Sequence, residues 1–124
     1  MQLLNASTQI AILNCCNILD EKKASSIEVV DLRGKSSITD YYVVATGNSN
    51  PHLSALMKSI ERSLFDDLQT KIHFQKNPES GWIVLDGIDF VVHLFTEELR
   101  SFYGIEKLWN DAIRIDWRST KSWI

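Results

Sequence analysis

The chain has little of what usually announces chemistry in a small protein. It has two cysteines in 124 residues, and they are neighbours, Cys15 and Cys16. Adjacent residues on a helix point about 100° apart, which disfavours a disulfide between them. No Cys/His set has zinc-finger spacing. Both thiols read as residues on or near a buried helix face. No apolar run approaches the roughly 20 residues of a membrane span, so no membrane association is expected. The N-terminus, Met1-Gln2-Leu3-Leu4-Asn5, has neither the pattern of a signal peptide nor an Arg-rich transit stretch. A cytoplasmic protein is expected. An excess of positive charge is also missing, since the formal net charge is −3. A protein that held nucleic acid through its phosphates would be basic, so direct nucleic-acid binding is disfavoured. No internal repeat, low-complexity tract or linker divides the chain, and residues 1–124 read as one domain.

What is present is the composition of an ordinary globular protein, 44% hydrophobic and 23% charged. The charge is uneven. Between Gly81 and Asp111 stand six acids (Asp86, Asp89, Glu97, Glu98, Glu106, Asp111) against Arg100 and Lys107, so that stretch carries −4 and the remainder +1. Such an acidic segment suits a basic protein partner, with charge steering the encounter and setting its register.

The pattern of apolar residues predicts a helix from Thr8 to about Lys22, capped by Ser7 and buried through Ile10, Leu13, Ile18 and Leu19. A β-branched run, Ile27 to Leu32, predicts a strand. Gly34 to Ser37 reads as a turn. The nearly continuous apolar run Tyr41 to Thr46 predicts a central strand covered on much of both faces. Gly47-Asn48-Ser49-Asn50-Pro51 then opens a second helix, with Asn50 as its cap and Pro51 in its first position. Leu53, Leu56, Met57, Ile60, Leu64 and Leu68 give that helix one core face. Lys71 to Gln75 predicts a short edge strand. Gly81 to Asp86 and Asp89 to Phe95 predict a hairpin closed by a two-residue Gly87-Ile88 turn. Short helices are expected at Glu97–Tyr103 and Ile105–Trp109, then a loose tail from Ile113. The order of elements indicates an α/β domain with a mixed sheet and helices mainly on one side.

The hairpin is the most informative stretch, because strand side chains alternate between faces. One face carries Ile83, Leu85, Phe90, Val92 and Leu94, all apolar, and belongs to the core. The other carries Trp82, Val84, Asp86, Asp89, Val91, His93 and Phe95. With a two-residue turn after Asp86, Asp86 lies opposite Asp89 and Trp82 opposite His93. Large aromatics mixed with acids fit neither a plain solvated face nor a second core. They fit a protein interface, with aromatic anchors and charge at the margin.

An enzyme is the alternative. The Gly47–Pro51 loop could cradle a nucleotide phosphate at a helix N-terminus, and Asp86, Asp89 and His93 could be cast as metal ligands. Yet no Asp-x-Asp pair follows the loop. Asp89 and His93 lie about 13 Å apart along an extended strand, too far to share one metal at about 2 Å. His52 and His73 lack obvious acidic or cysteine partners and read as surface residues. Neither a metal nor a cofactor is expected.

Four stretches together carry a family resemblance. They are Ile38-Thr39-Asp40-Tyr41-Tyr42-Val43-Val44-Ala45-Thr46-Gly47-Asn48-Ser49, Gly81-Trp82-Ile83-Val84-Leu85-Asp86, Asp89-Phe90-Val91-Val92-His93-Leu94-Phe95, and Glu98 to Ala112. In order and spacing this resembles the Iojap-related ribosomal silencing factors from about Ala6 to Ala112. The resemblance implies a nucleotidyltransferase-like fold without transferase activity, and a homodimer. It implies binding to the large ribosomal subunit through ribosomal protein fourteen. Joining of the small subunit would then be blocked sterically and translation repressed, with no bond chemistry. Carried over by position, the partner-binding residues would be Trp82, Asp86, Asp89, His93, Phe95, Arg100, Tyr103, Leu108 and Trp109. Tyr103 and Trp109 would be anchors, and Arg100 would pair with Glu97 or a partner carboxylate.

Overall fold

The structure is a computed structural model of the chain, and it describes residues 6–34, 39–68, 73–75, 80–87, 89–103 and 113–119. The elements run α1 (Ala6–Glu21), β1 (Ser25–Asp31), β2 (Tyr41–Gly47), α2 (Asn50–Leu68), β3 (His73–Gln75), β4 (Trp82–Asp86), β5 (Phe90–Thr96), α3 (Glu97–Tyr103) and β6 (Ile113–Ile115). The strands form one mixed sheet in the order β3-β4-β5-β2-β1-β6. Among the described strands only β2 and β5 pair in parallel, and the remaining neighbours are antiparallel. The mixed α/β architecture expected from the sequence is what forms.

β2 sits in the middle, between β1 and β5, and is buried along nearly its whole length. That is why its sequence shows no clean alternation. Tyr41, Val43 and Ala45 face the helices, level with Phe90, Val92 and Leu94 of β5. Helices α1 and α2 pack on this first face. α2 buries Leu53, Leu56, Met57, Ile60 and Leu64, as its spacing predicts. α1 is turned differently from expectation. Ala11, Ile12, Cys15, Cys16 and Leu19 are buried, Leu13 and Ile18 are partly buried, and Ile10 is exposed. The run Ile10-Ala11-Ile12-Leu13 is apolar around more than one face, so spacing alone did not choose the inward one. The two cysteines lie within this core with no disulfide between them, and burial pushes the Cys16 thiol up to about 12.

Three further expectations are corrected. α2 is capped by Ser49 rather than Asn50. The Ser49 Oγ accepts from His52 N–H at 3.2 Å, and the Ser49 carbonyl accepts from Leu53 N–H at 3.0 Å. Pro51 therefore lies one residue further in, still where a missing N–H is harmless. The segment from Ile113 is no loose tail over its described part. Ile113–Ile115 pairs with β1 as an edge strand, and Trp117 is only 8% exposed in the core. Its indole N–H donates to the Ile27 carbonyl, and the Arg118 guanidinium lies 4.2 Å from its ring. The hairpin register is the third, described below. The expected helical turn at Ile105–Trp109 and the end of the Gly34–Ser37 turn lie outside the described residues.

Candidate functional site

The hairpin turns one residue later than its sequence suggests. Gly87 N–H donates to the Phe90 carbonyl at 2.8 Å, so pairing continues one residue past Asp86 before the chain turns. Asp86 consequently pairs with Val91, Val84 with His93, and Trp82 with Phe95. The expected opposition of Asp86 and Asp89 does not occur. Two like charges directly opposite are unfavourable, and the shift removes that pairing. The partner residue moves by two, so the division of side chains between faces survives along both strands. Asp89 alone leaves the face. Its carboxylate accepts from the Thr8 hydroxyl of α1 at 3.1 Å, and its carbonyl accepts from Asp40 N–H.

The second face of the sheet, away from α1 and α2, holds a small cluster of its own. Val30, Leu32, Val44 and Phe95 are buried there, with Tyr42, Trp82 and Leu99 packed against them. Trp82 stacks on its cross-strand partner Phe95 at 5.2 Å between ring centroids. Its indole N–H donates to His93 Nδ1 at 3.2 Å. Tyr42, level with the neighbouring Val91 and one strand over, meets His93 edge-on at 4.6 Å. His93 is thus walled by aromatic rings, and burial alone pushes its pKa down to about 4. Because Nδ1 accepts, the proton of the neutral ring sits on Nε2. Among the described residues that buried atom has no hydrogen-bond partner.

Around this buried centre the face opens outward. Tyr42, Trp82, Val84 and Val91 are half-buried, and Asp86 is exposed at the margin. Phe95 and His93, both expected as contact residues, are enclosed and support the rings above them. Arg100 is also enclosed, at 8% exposure. Its guanidinium donates to Glu28 at 3.0 Å, to the Thr46 hydroxyl at 2.8 Å and to the Ser26 carbonyl at 2.8 Å. Leu108, Trp109 and the Tyr103 side chain lie outside the described residues. Tyr42 is the member of the face that the sequence reading missed. The adjacent pair Tyr41-Tyr42 could have revealed it, since alternation must send one ring to each face.

The loop once considered for a phosphate is occupied by its own chain. Asn48 N–H donates to His52 Nδ1 at 2.8 Å, and His52 N–H is taken by Ser49. His52 Nε2 reaches the Lys22 carbonyl at 2.7 Å, so this histidine ties the start of α2 to the end of α1. Beside the loop opens a cleft lined by Asn48, Ser49, Thr96, Glu97 and Glu98, whose two carboxylates would repel a phosphate. Among the described residues no group of His, Cys, Asp and Glu could hold a metal ion.

Comparison with known proteins agrees with the sequence resemblance. Residues 5–123 match the family model described as ribosomal silencing factor during starvation. The ribosomal silencing factor RsfS of Zymomonas mobilis is 35% identical over 91 residues, which is 73% of this chain and 68% of that protein. RsfS of Bacillus subtilis is 35% identical over 94 residues, 75% of this chain and 79% of that one. A crystal structure of a Chromobacterium violaceum protein superposes with a TM-score of 0.72 at 29% identity, over 89% of this chain and 88% of the other. The chain therefore belongs to the ribosomal silencing factor family.

Proposed function

We propose that this protein binds the large ribosomal subunit through ribosomal protein fourteen and sterically blocks joining of the small subunit, repressing translation. Its family membership is consistent with regulation at the ribosome, and its relatives carry the name of a regulator rather than an enzyme. The observation that carries the reading is the second face of the sheet. Half-buried Tyr42, Trp82, Val84 and Val91 beside the exposed Asp86 offer aromatic anchorage with negative charge at the rim. A basic protein surface complements it. Occupying the docking ground of the small subunit suffices for silencing, so neither cofactor nor catalysis is needed.

In this reading Trp82 and Asp86 touch the partner, together with Tyr103, Leu108 and Trp109. His93, Phe95 and Arg100 hold the surface from beneath, and Asp89 stands at its edge. The protein works in the cytoplasm, as one domain and as a homodimer.

The test adds purified protein to separated ribosomal subunits and follows their association on a sucrose gradient. The wild type is expected to leave subunits unjoined and to cosediment with the large one. Trp82→Ala combined with Asp86→Lys is expected to weaken that cosedimentation at least tenfold, in line with about 2 kcal/mol for a buried aromatic anchor. Full ribosomes persisting at saturating wild-type protein would refute the mechanism. Unchanged binding by the folded double variant would refute the surface.

A further inference from the structure

We infer that Arg100 is a positioning residue: buried beneath α3, it holds that helix so that Leu99 presses on Gly81 and keeps Trp82 in place on the second face. Arg100 reaches away from the hairpin. Its guanidinium joins α3 to the Ser26 carbonyl and Glu28 of β1 and to Thr46 of β2. Glu28 in turn reaches Arg114 of β6 at 3.5 Å, so one carboxylate links the α3 arginine to the sheet edge. The backbone of β1 is shaped for this contact. Its pairing with β2 shifts register between Ser25 and Glu28, and Ser26 stands at a φ of 50°. A non-glycine residue in that region is strained and persists only where surrounding contacts over-determine it. The hydrogen bond from Arg100 to the Ser26 carbonyl is one such contact.

The next residue toward the N-terminus works in the opposite direction. A Cβ on Gly81 would stand 2.8 Å from Leu99 Cδ1 and 3.1 Å from the Thr96 hydroxyl, and Gly81 itself has a φ of 82°. Leu99 thus rests on bare backbone immediately before Trp82. Thr96 completes the joint. Its N–H donates to the Gly81 carbonyl at 2.9 Å, and its hydroxyl accepts from Leu99 N–H at 3.4 Å, capping α3. Arg100 on one side and Leu99 on the other make α3 a brace between the β1–β2 end of the sheet and the start of β4. A planar guanidinium with several donors can hold three acceptors at fixed angles, which an ammonium cannot.

The inference rests on the proposed function only for its consequence at the ribosome. The direct test is made on the isolated protein by NMR. The variants are Arg100→Met and Arg100→Lys, with Glu28→Gln plus Thr46→Val as a second route that leaves the arginine, takes the charge from one of its anchors and removes another. In Arg100→Met the resonances of the α1–α2 core are expected to stay put. The Trp82 indole N–H is expected to shift, and the cross-peak between the Leu99 methyls and the Gly81 α-protons to vanish. Arg100→Lys should restore that cross-peak in part. Cosedimentation with large subunits should weaken roughly tenfold in Arg100→Met. A wild-type Trp82 signal and an intact Leu99–Gly81 cross-peak in Arg100→Met would overturn the inference. Should that variant fail to fold, the same result in the Glu28→Gln plus Thr46→Val protein would overturn it equally. If wild-type protein itself did not sediment with the subunits, the functional reading would fall while the NMR result still decided the role of Arg100.

Discussion

At the scale of single residues, His93 couples the second face to pH. Burial holds its ring down to about 4, below the roughly 6.5 of an exposed imidazole. Between those values the unfolded chain takes up a proton that the folded one refuses, so acid favours unfolding. The contribution is complete above about pH 6.5 and is lost as pH falls toward 4, at up to about 1.4 kcal/mol per pH unit. Urea titrations across that range should show a falling midpoint, and His93→Phe should flatten the dependence. An equally steep curve in His93→Phe would mean that other groups carry it. Protonation would also place a second N–H against the indole N–H of Trp82, so tryptophan emission of the folded protein should change near pH 4. The composition of the two hairpin faces could be read from the sequence, because alternation depends only on whether a position is odd or even. The enclosure of His93 and Phe95 could not, because it depends on Tyr42 from β2 and Leu99 from α3, which approach only in three dimensions.

At the scale of elements, the caps and edges are where structure departs from pattern. Ser49 and Asn50 are both good capping residues, and sequence offers no way to choose between them. The hydrogen bond from His52 N–H to Ser49 Oγ makes the choice. Ser49→Ala should therefore cost about 1 kcal/mol of stability, measured by thermal or urea unfolding. The edge strand β6 was illegible for another reason. Three residues, Ile113-Arg114-Ile115, are too few for a periodic signal. Only the partner β1 reveals that Ile115 and Trp117 point inward. Trp117→Ala should lower unfolding stability by about 3 kcal/mol, the lower end for a large aromatic lost from a core. A loss under about 0.5 kcal/mol, typical of a surface site, would mean that the strand is not held. The long elements were read correctly in kind, since α2 and β2 have enough residues for their patterns to stand out.

At the scale of the whole molecule, the proposed function gives the two faces of the sheet separate tasks. Its first face is sealed by α1 and α2 and supplies most of the core. Its second face carries a smaller cluster whose outer rings reach solvent. Stability and recognition can thus be altered apart. Trp82→Ala should reduce ribosome binding far more than Leu56→Ala at equal folded fraction. The acidic stretch that includes Asp86, Glu97 and Glu98 should make that binding weaken as salt rises, mainly through slower association. Gel filtration with light scattering across a concentration series would test the homodimer, which should give twice the 14.2 kDa chain mass.

The parallel contact between β2 and β5 has a kinetic consequence. These two strands are separated in sequence by α2, β3 and β4. Their meeting requires a long loop to close before any hydrogen bond rewards it. Tyr42 stands on one of these strands and His93 on the other, so the aromatic nest cannot assemble ahead of that event. During refolding, helical signal from α1 and α2 should recover first, and the quenching environment of Trp82 should return only in the slow step that zips the middle of the sheet.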